Sequence, residues 1–270
     1  MIWYFFILGL FLGSLFNTIA LRLETGEKII FSRSHCPKCG KILKWYELIP
    51  LVSFFIQKGK CRGCREKISL RYPVVELITG IWCALLAYIL NTQPNFISLL
   101  EYFYYLIPLS ILFISSLYDL KTYLVDNRVI ILGFIWFLFF YFLQLPKRIF
   151  PERDFAYLLN YFFNTPEKLS PFISALVGFL IIFLIYALTL KRGIGFGDAI
   201  IMGMLGLYFK IGEIILILIF SSFWGSLYGI YMKITKNKKM IPFVPFIFLG
   251  VFSTLLFGQK LTHWYFIQFQ

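Results

Sequence analysis

Two groups of residues have the types and spacing to do chemistry. Cys36-Pro37-Lys38-Cys39 and Cys61-Arg62-Gly63-Cys64 are two Cys-x-x-Cys pairs with 21 residues between them. Each pair can close a tight turn that offers two thiolates to one ion, and four thiolates fill a tetrahedral shell with no position left for a catalytic water. This spacing predicts a structural metal site of the zinc-ribbon kind, where the ion replaces a core too small to fold alone. The second group is acidic. Lys191-Arg192-Gly193-Ile194-Gly195-Phe196-Gly197-Asp198 is a glycine-rich basic turn that ends in a carboxylate and runs into apolar sequence, and Asp119 follows the apolar run Leu106 to Leu117. Ionisable groups at the ends of membrane segments are costly, so they point to function. Two carboxylates meeting at one membrane face would share a proton, one acting as base on a water and the other polarising a carbonyl.

The elements that must position these groups are membrane segments. The chain has 270 residues, 60% hydrophobic and 21% aromatic, with only 14% charged, which excludes an ordinary soluble domain and predicts an all-α polytopic membrane protein. Eight apolar runs are expected to be helical: 1–20, 74–90, 102–118, 129–145, 172–190, 199–209, 214–232 and 241–257. Each of the longer runs matches a hydrocarbon core of roughly 30 Å. The run 199–209 is short, and Lys210 and Glu213 blur its outer end. Residues 22–72 carry 12 of the 26 basic residues against four acidic ones. Loop-charge bias makes that segment cytoplasmic, as a zinc-binding insertion after the first helix, and places both termini outside. With eight crossings, 20 of the 26 Lys and Arg fall on the cytoplasmic side, together with Asp119 and Asp198. The net charge of +13 therefore reads as loop anchoring, with no nucleic acid as partner. The divisions are 1–21 first helix, 22–73 zinc-binding domain, 74–258 membrane core and 259–270 outer tail.

The remaining polar residues have competing explanations. Gly13, Ser14 and Asn17 form a small polar patch near the cytoplasmic end of the first helix, suited either to close helix packing or to a ligand. Glu76 lies just inside the second helix, where it can pair with a basic residue or line a site. Cys83 reads as a small buried hydrophobe and His35 as a solvated loop residue. His263, beside Trp264 and Tyr265, fits an interfacial belt. Residues 146–171 form an outer loop with an interfacial helix expected at 155–163.

Taken in order, these motifs resemble the bacterial type 4 prepilin peptidases, or leader peptidase/N-methyltransferases, aspartic proteases of the Gly-x-Gly-Asp class. The likeness covers nearly the whole chain: Gly13-Ser14-Leu15-Phe16-Asn17, Cys36 through Cys64 with Trp45-Tyr46-Glu47, Arg71-Tyr72-Pro73-x-Val75-Glu76, Asp119, Gly195-Phe196-Gly197-Asp198, and Pro242-Phe243-x-Pro245-Phe246. The chain departs from the family pattern at Val125 (usually proline), at Ala199-Ile200-Ile201 (no lysine) and at Val244 (often glycine). The resemblance implies that Asp119 and Asp198 are catalytic and that Gly195 and Gly197 form the active-site loop; the departure at Val125 bears on whether Asp126 contributes as a substitute for or neighbour of Asp119. It implies as substrates prepilins or pseudopilins in the lipid bilayer of the bacterial inner membrane, cut after a glycine at the cytoplasmic face. It also implies a structural Zn2+ at the four cysteines and methylation of the new N-terminus with S-adenosylmethionine, with Gly13, Asn17, Glu47 and Glu76 as a possible substrate or methyl-donor site. Two other readings are a catalytically inactive zinc-stabilised scaffold of pilus or secretion machinery, and a presenilin-like intramembrane protease, which shares Tyr118-Asp119 and Gly-x-Gly-Asp but lacks the four-cysteine loop.

Overall fold

The computed structural model describes residues 1–28, 33–143, 169–189, 194–236 and 241–267, without the side chains of 236, 259 and 262–267. The outer loop with its expected helix at 155–163, the basic start of the glycine turn at 191–193, and the side chains of His263, Trp264 and Tyr265 lie outside that description. Each of the eight expected apolar segments contains a helix over most of its described residues. Five helices are long and apolar enough to cross a membrane: Ile2–Thr25 (α1), Arg71–Ile89 (α3), Phe96–Thr122 (α4), Ser170–Leu188 (α6) and Ile211–Lys236 (α8), the last through Thr235. The shorter apolar helices are Asn127–Phe142 (α5), Phe196–Gly206 (α7) and the apolar first part, through Gly258, of Val244–Ile267 (α9). Between α1 and α3 lie a 3-10 turn, Trp45–Leu48, and a one-turn helix, Val52–Ile56 (α2). The described chain forms two compact units, Met1–Tyr102 and Phe103–Gln270.

The first unit is built on α1 against α3. Gly9 and Gly13 stand one turn apart, the small-residue pattern that lets helices in lipid approach backbone to backbone. A Cβ on Gly9 would lie 2.6 Å from the Thr79 carbonyl oxygen, and one on Gly13 would lie 2.7 Å from the Glu76 Cα. Any larger residue at either position must push the helices apart. The seam closes with an Arg71–Glu24 ion pair of 2.9 Å, which also fixes the start of α3 against the end of α1. At the other end Tyr102 donates its hydroxyl to the carbonyl of Cys83, which is fully buried as expected of a small core residue.

In the second unit the short α7 is the central element. Ala199, Ile201, Met202, Met204 and Leu205 are all buried, enclosed by α5, α6 and α8. An 11-residue helix is about 16 Å long, half a bilayer core, and this one is sheathed by protein instead of lipid. Its approach to α6 is close, with the place of a Gly178 Cβ 2.8 Å from the Met202 carbonyl oxygen and that of a Gly206 Cβ against the Ala175 backbone. Beyond its end, Tyr208 donates to the Gly133 carbonyl of α5 at 2.6 Å and packs its ring between Tyr104 and Phe137. The break that Lys210 and Glu213 make in the hydropathy is a helix start. Glu213 accepts from the Lys210 amide at 3.0 Å and caps α8.

Candidate metal centre and candidate active site

The two cysteine pairs fold as matched turns. In the first, the Cys36 amide donates to the Lys41 carbonyl and the Gly40 amide to the Cys36 carbonyl; in the second, Cys61 and Glu66, then Arg65 and Cys61, repeat the arrangement, each bond at 2.9 Å. The turns are left-handed after the second cysteine, at Gly40 (φ 69°) and at Arg65 (φ 58°). Glycine adopts that conformation freely and arginine does not. The four Sγ atoms lie within 4.8 Å of one another, and Cys36 and Cys64 are 3.9 Å apart. A zinc–sulfur bond of ~2.3 Å gives a tetrahedral edge of about 3.8 Å, so the thiols already have the spacing an ion requires.

Electrostatics support the same use. The backbone amides of Cys64 and Gly63 hold the Cys61 thiol down at about 7. Cys64, despite the Glu66 amide aimed at it, is pushed up to about 11 by desolvation and by its neighbouring thiols. Four thiols this close cannot all ionise without a cation among them, and the cluster can hold a metal ion. His35 is exposed, with its Nδ1 at 3.2 Å from the Arg33 carbonyl oxygen, and is not part of the cluster.

The acidic pair is assembled from three separate parts of the second unit. Asp119 lies in the last turn of α4, which ends when Tyr123 turns left-handed (φ 56°) and returns its amide to the Asp119 carbonyl. The Asp119 carboxylate accepts from the Val244 amide at 3.1 Å and also from the Phe243 amide. Both donors belong to the start of α9, where free amides and the helix dipole favour an anion. Asp198 occupies the first turn of α7, and its Oδ2 accepts from the Gly195 amide at 2.9 Å. Both residues are buried, each 5% exposed. Neither is paired with a lysine or arginine among the described residues.

Gly197 explains how the two acids come together. A Cβ there would lie 2.6 Å from the Val125 Cβ, so the chain leaving Asp119 packs directly on the turn that carries Asp198. At Gly195 a Cβ would lie 3.3 Å from Asp198 Oδ2, crowding the carboxylate itself. Asp126 takes another part. It caps α5 by accepting from the Arg128 amide at 2.9 Å and pairs with that guanidinium at 2.7 Å, which holds its carboxyl below the usual range.

The other polar residues singled out in the sequence belong to the first unit. Glu76 is buried and accepts from the Leu51 amide at 2.8 Å and from the Ser14 hydroxyl, and has no cation as partner among the described residues. Leu51 itself is strained, at φ 58° and ψ −51°. Glu47 accepts from the Lys44 amide at 2.9 Å and from Lys41 Nζ at 3.0 Å, and that amide and ammonium together hold its carboxyl below the usual range. Gly13 serves the packing of α1 on α3. Asn17, one turn further along α1, is fully buried, and both polar atoms of its amide lack a partner among the described residues. Residue types do not reveal Leu51 as the partner of Glu76, because a backbone donor leaves no mark on residue type. The amides of Phe243 and Val244 were visible only through the prolines beside them.

Comparison with known proteins agrees on both halves of the chain. Residues 7–90 match the Bacterial Peptidase A24 N-terminal domain, and residues 106–230 match the Type IV leader peptidase family. The chain is 32% identical over 264 residues to a prepilin leader peptidase/N-methyltransferase of Bacillus subtilis (strain 168), covering 96% of each. It is 28% identical over 267 residues to the protein of that name from Aeromonas salmonicida (strain A449), covering 93% of this chain and 81% of that one. With the Myxococcus xanthus (strain DK1622) protein of the same name it shares 29% identity over 246 residues, 87% of this chain and 64% of that one. No solved structure matches. The chain is thus a multi-pass membrane peptidase that belongs to the type IV leader peptidase family.

Proposed function

We propose that this chain cleaves the basic leader from type 4 prepilins or pseudopilins, after a glycine, with Asp119 and Asp198 as the catalytic pair. The observation that carries the reading is that two buried acids, on segments that pack directly on each other at Gly197 and Val125, are held by backbone amides and by no cation among the described residues. A structural ion pair would need a partner that neither acid has among the described residues. In the proposed reaction one carboxylate takes a proton from water as its oxygen attacks the scissile carbonyl carbon. The other, protonated, gives its proton to the carbonyl oxygen. The resulting diol collapses as one hydroxyl proton returns to the second carboxylate, the C–N bond breaks, and the leaving amine takes up the proton that the first carboxylate had removed from water. The amides of Phe243, Val244 and Gly195 orient the two acids throughout, which removes the cost of arranging them for each turnover. Gly195 and Gly197 belong to the active-site loop on this reading.

The site is proposed to face the cytoplasm of a bacterial inner membrane, with the metal at Cys36, Cys39, Cys61 and Cys64 being a structural Zn2+. The chain would divide as 1–21, 22–73, 74–258 and 259–270, with the peptidase core in the third part. S-adenosylmethionine would supply a methyl group to the new N-terminal amine. The unpartnered Asn17 amide is the place in the first unit that supports holding such a donor, with Glu76 and its Ser14 contact on the adjoining helix seam. Gly13 shapes that seam, and Glu47 acts from the loop by ordering Lys41 and Lys44.

The test is incubation of the reconstituted chain with a purified prepilin and S-adenosylmethionine, followed by mass measurement of the product. The reading expects a mature pilin that begins after the glycine and carries one added methyl group. Cleavage at another bond, or an intact prepilin, would overturn the substrate assignment; cleavage without methylation would overturn only the second activity.

A further inference from the structure

The segment between α1 and α3 shows a second face that neither the metal nor the acids explain. Trp45, Phe55 and Ile56 are 78%, 73% and 63% exposed, and Leu48 and Val52 are exposed beside them. This is not a failed core. Within α2 the inner residue Phe54 lies under Gly59, 3.2 Å from where its Cβ would be, so α2 sorts its side chains into a packed side and an open apolar side. The cations Lys44, Lys58, Lys60 and Arg62 border this set and are exposed. Lys44 and Arg62 lie over the Tyr46 ring, 5.8 Å and 5.3 Å from its centroid.

The position of α2 is fixed by the bond between the Leu51 amide, immediately before it, and the Glu76 carboxylate. Glu76 is the sixth residue of α3, about 7.5 Å along the helix from its first residue. The bond therefore draws the start of α2 alongside the first turns of a helix long and apolar enough to cross a membrane, at the depth where headgroups meet acyl chains. An apolar face with a tryptophan, bordered by cations and held at that depth, has the composition of an interfacial anchor.

We propose that residues 45–56 form a wedge that lies in the membrane interface, inserting Trp45, Val52, Phe55 and Ile56 among anionic phospholipids while Lys44, Lys58 and Lys60 meet their headgroups. Val74, Leu77 and Ile78, which flank Glu76 in α3, are exposed apolar residues as well, and the charge of the wedge complements anionic lipid. It fixes the height of the metal-binding turns above the bilayer, because the second cysteine pair begins five residues after Ile56. The proposal does not depend on the cleavage chemistry.

The experiment places p-benzoylphenylalanine at position 55 of the full chain, reconstituted with its metal in vesicles of phosphatidylglycerol and phosphatidylethanolamine. Ultraviolet irradiation is followed by mass measurement of the adduct. Phe55 is exposed, so the substitution leaves the packed side intact, and retained metal checks the fold. The same probe at Lys38, an exposed residue of the first cysteine turn, is the comparison. The expected result is a phospholipid adduct at 55 that exceeds the one at 38 and falls about fivefold for each cation removed in Lys44→Gln and Lys58→Gln. An adduct to a second copy or to another protein, no adduct at 55, equal lipid adducts at both positions, or an adduct indifferent to the two lysines and to replacement by phosphatidylcholine would each overturn it.

Discussion

The metal-binding turns and the acidic pair solve the same problem, gathering groups that repel one another, by opposite means. At the turns, each pair of thiols is set by a local loop whose hydrogen bonds span five residues, and only the joining of two such loops is long-range. At the acids, every element is distant: Asp119, Val125, Asp198 and Val244 come from α4, the following loop, α7 and α9. The repulsion is relieved differently as well. Four thiols admit a cation, whereas the acids have no lysine or arginine partner among the described residues and accept from amides at helix starts; on the proposed reading a shared proton lowers their charge. A local site can be rebuilt by adding metal back, but a distributed one depends on the packing of the whole unit.

That contrast can be broken most severely at the metal. Cys61→Ser, or prolonged chelation, removes a shell that supplies on the order of 10 kcal/mol to small four-thiolate folds. Metal content should fall to zero and residues 33–70 should become open to protease, while the second unit keeps its helices. Loss of the second unit's protection as well would deny that the two regions are built independently. Next in size is Gly197→Ala, whose Cβ would meet Val125. Displacing the Asp198 turn by about 1 Å should lower the cleavage rate on the order of a hundredfold without altering metal content. Adding Val125→Gly, which removes the struck atoms, should restore part of it.

The sequence alone revealed these two regions to different degrees. Ligand type and pair spacing made the four cysteines unmistakable, since the chemistry of the side chain is the site. Asp119 and Asp198 were visible as misplaced charges and through their glycines. What holds them was not, because Val125 acts by shape and Phe243 and Val244 act through backbone amides. The eight segments followed from hydropathy alone. Their ends did not, because Lys210 and Glu213 look like an interruption until the carboxylate is seen capping α8. The helix cap that Asp126 makes, with its Arg128 partner, shows only in the structure.

Smaller effects sharpen the comparison within the metal-binding segment. Glu47 has its carboxyl lowered by the Lys44 amide and Lys41, so its contribution is complete above the ordinary carboxylate range and is lost as pH falls through the lowered folded value. Thermal melting of the intact protein and of Glu47→Gln should therefore differ at pH 7 and converge in acid below about pH 4. A gap that persists in acid would mean that the carboxylate charge is not what orders the turn. The smallest expected change is a gain. Arg65 sits left-handed where the first turn has Gly40, so Arg65→Gly should relieve up to about 1 kcal/mol of strain and slow metal loss to a chelator.

The most direct measurement is prepilin cleavage by Asp119→Asn and Asp198→Asn, each compared with the unaltered chain after equal metal content and equal helix content have been established. Both substitutions keep the size of the side chain and its acceptor oxygen while removing the carboxylate. Loss of cleavage by at least about a thousandfold in each variant is the predicted result. Substantial cleavage by either would contradict the two-acid mechanism at its centre.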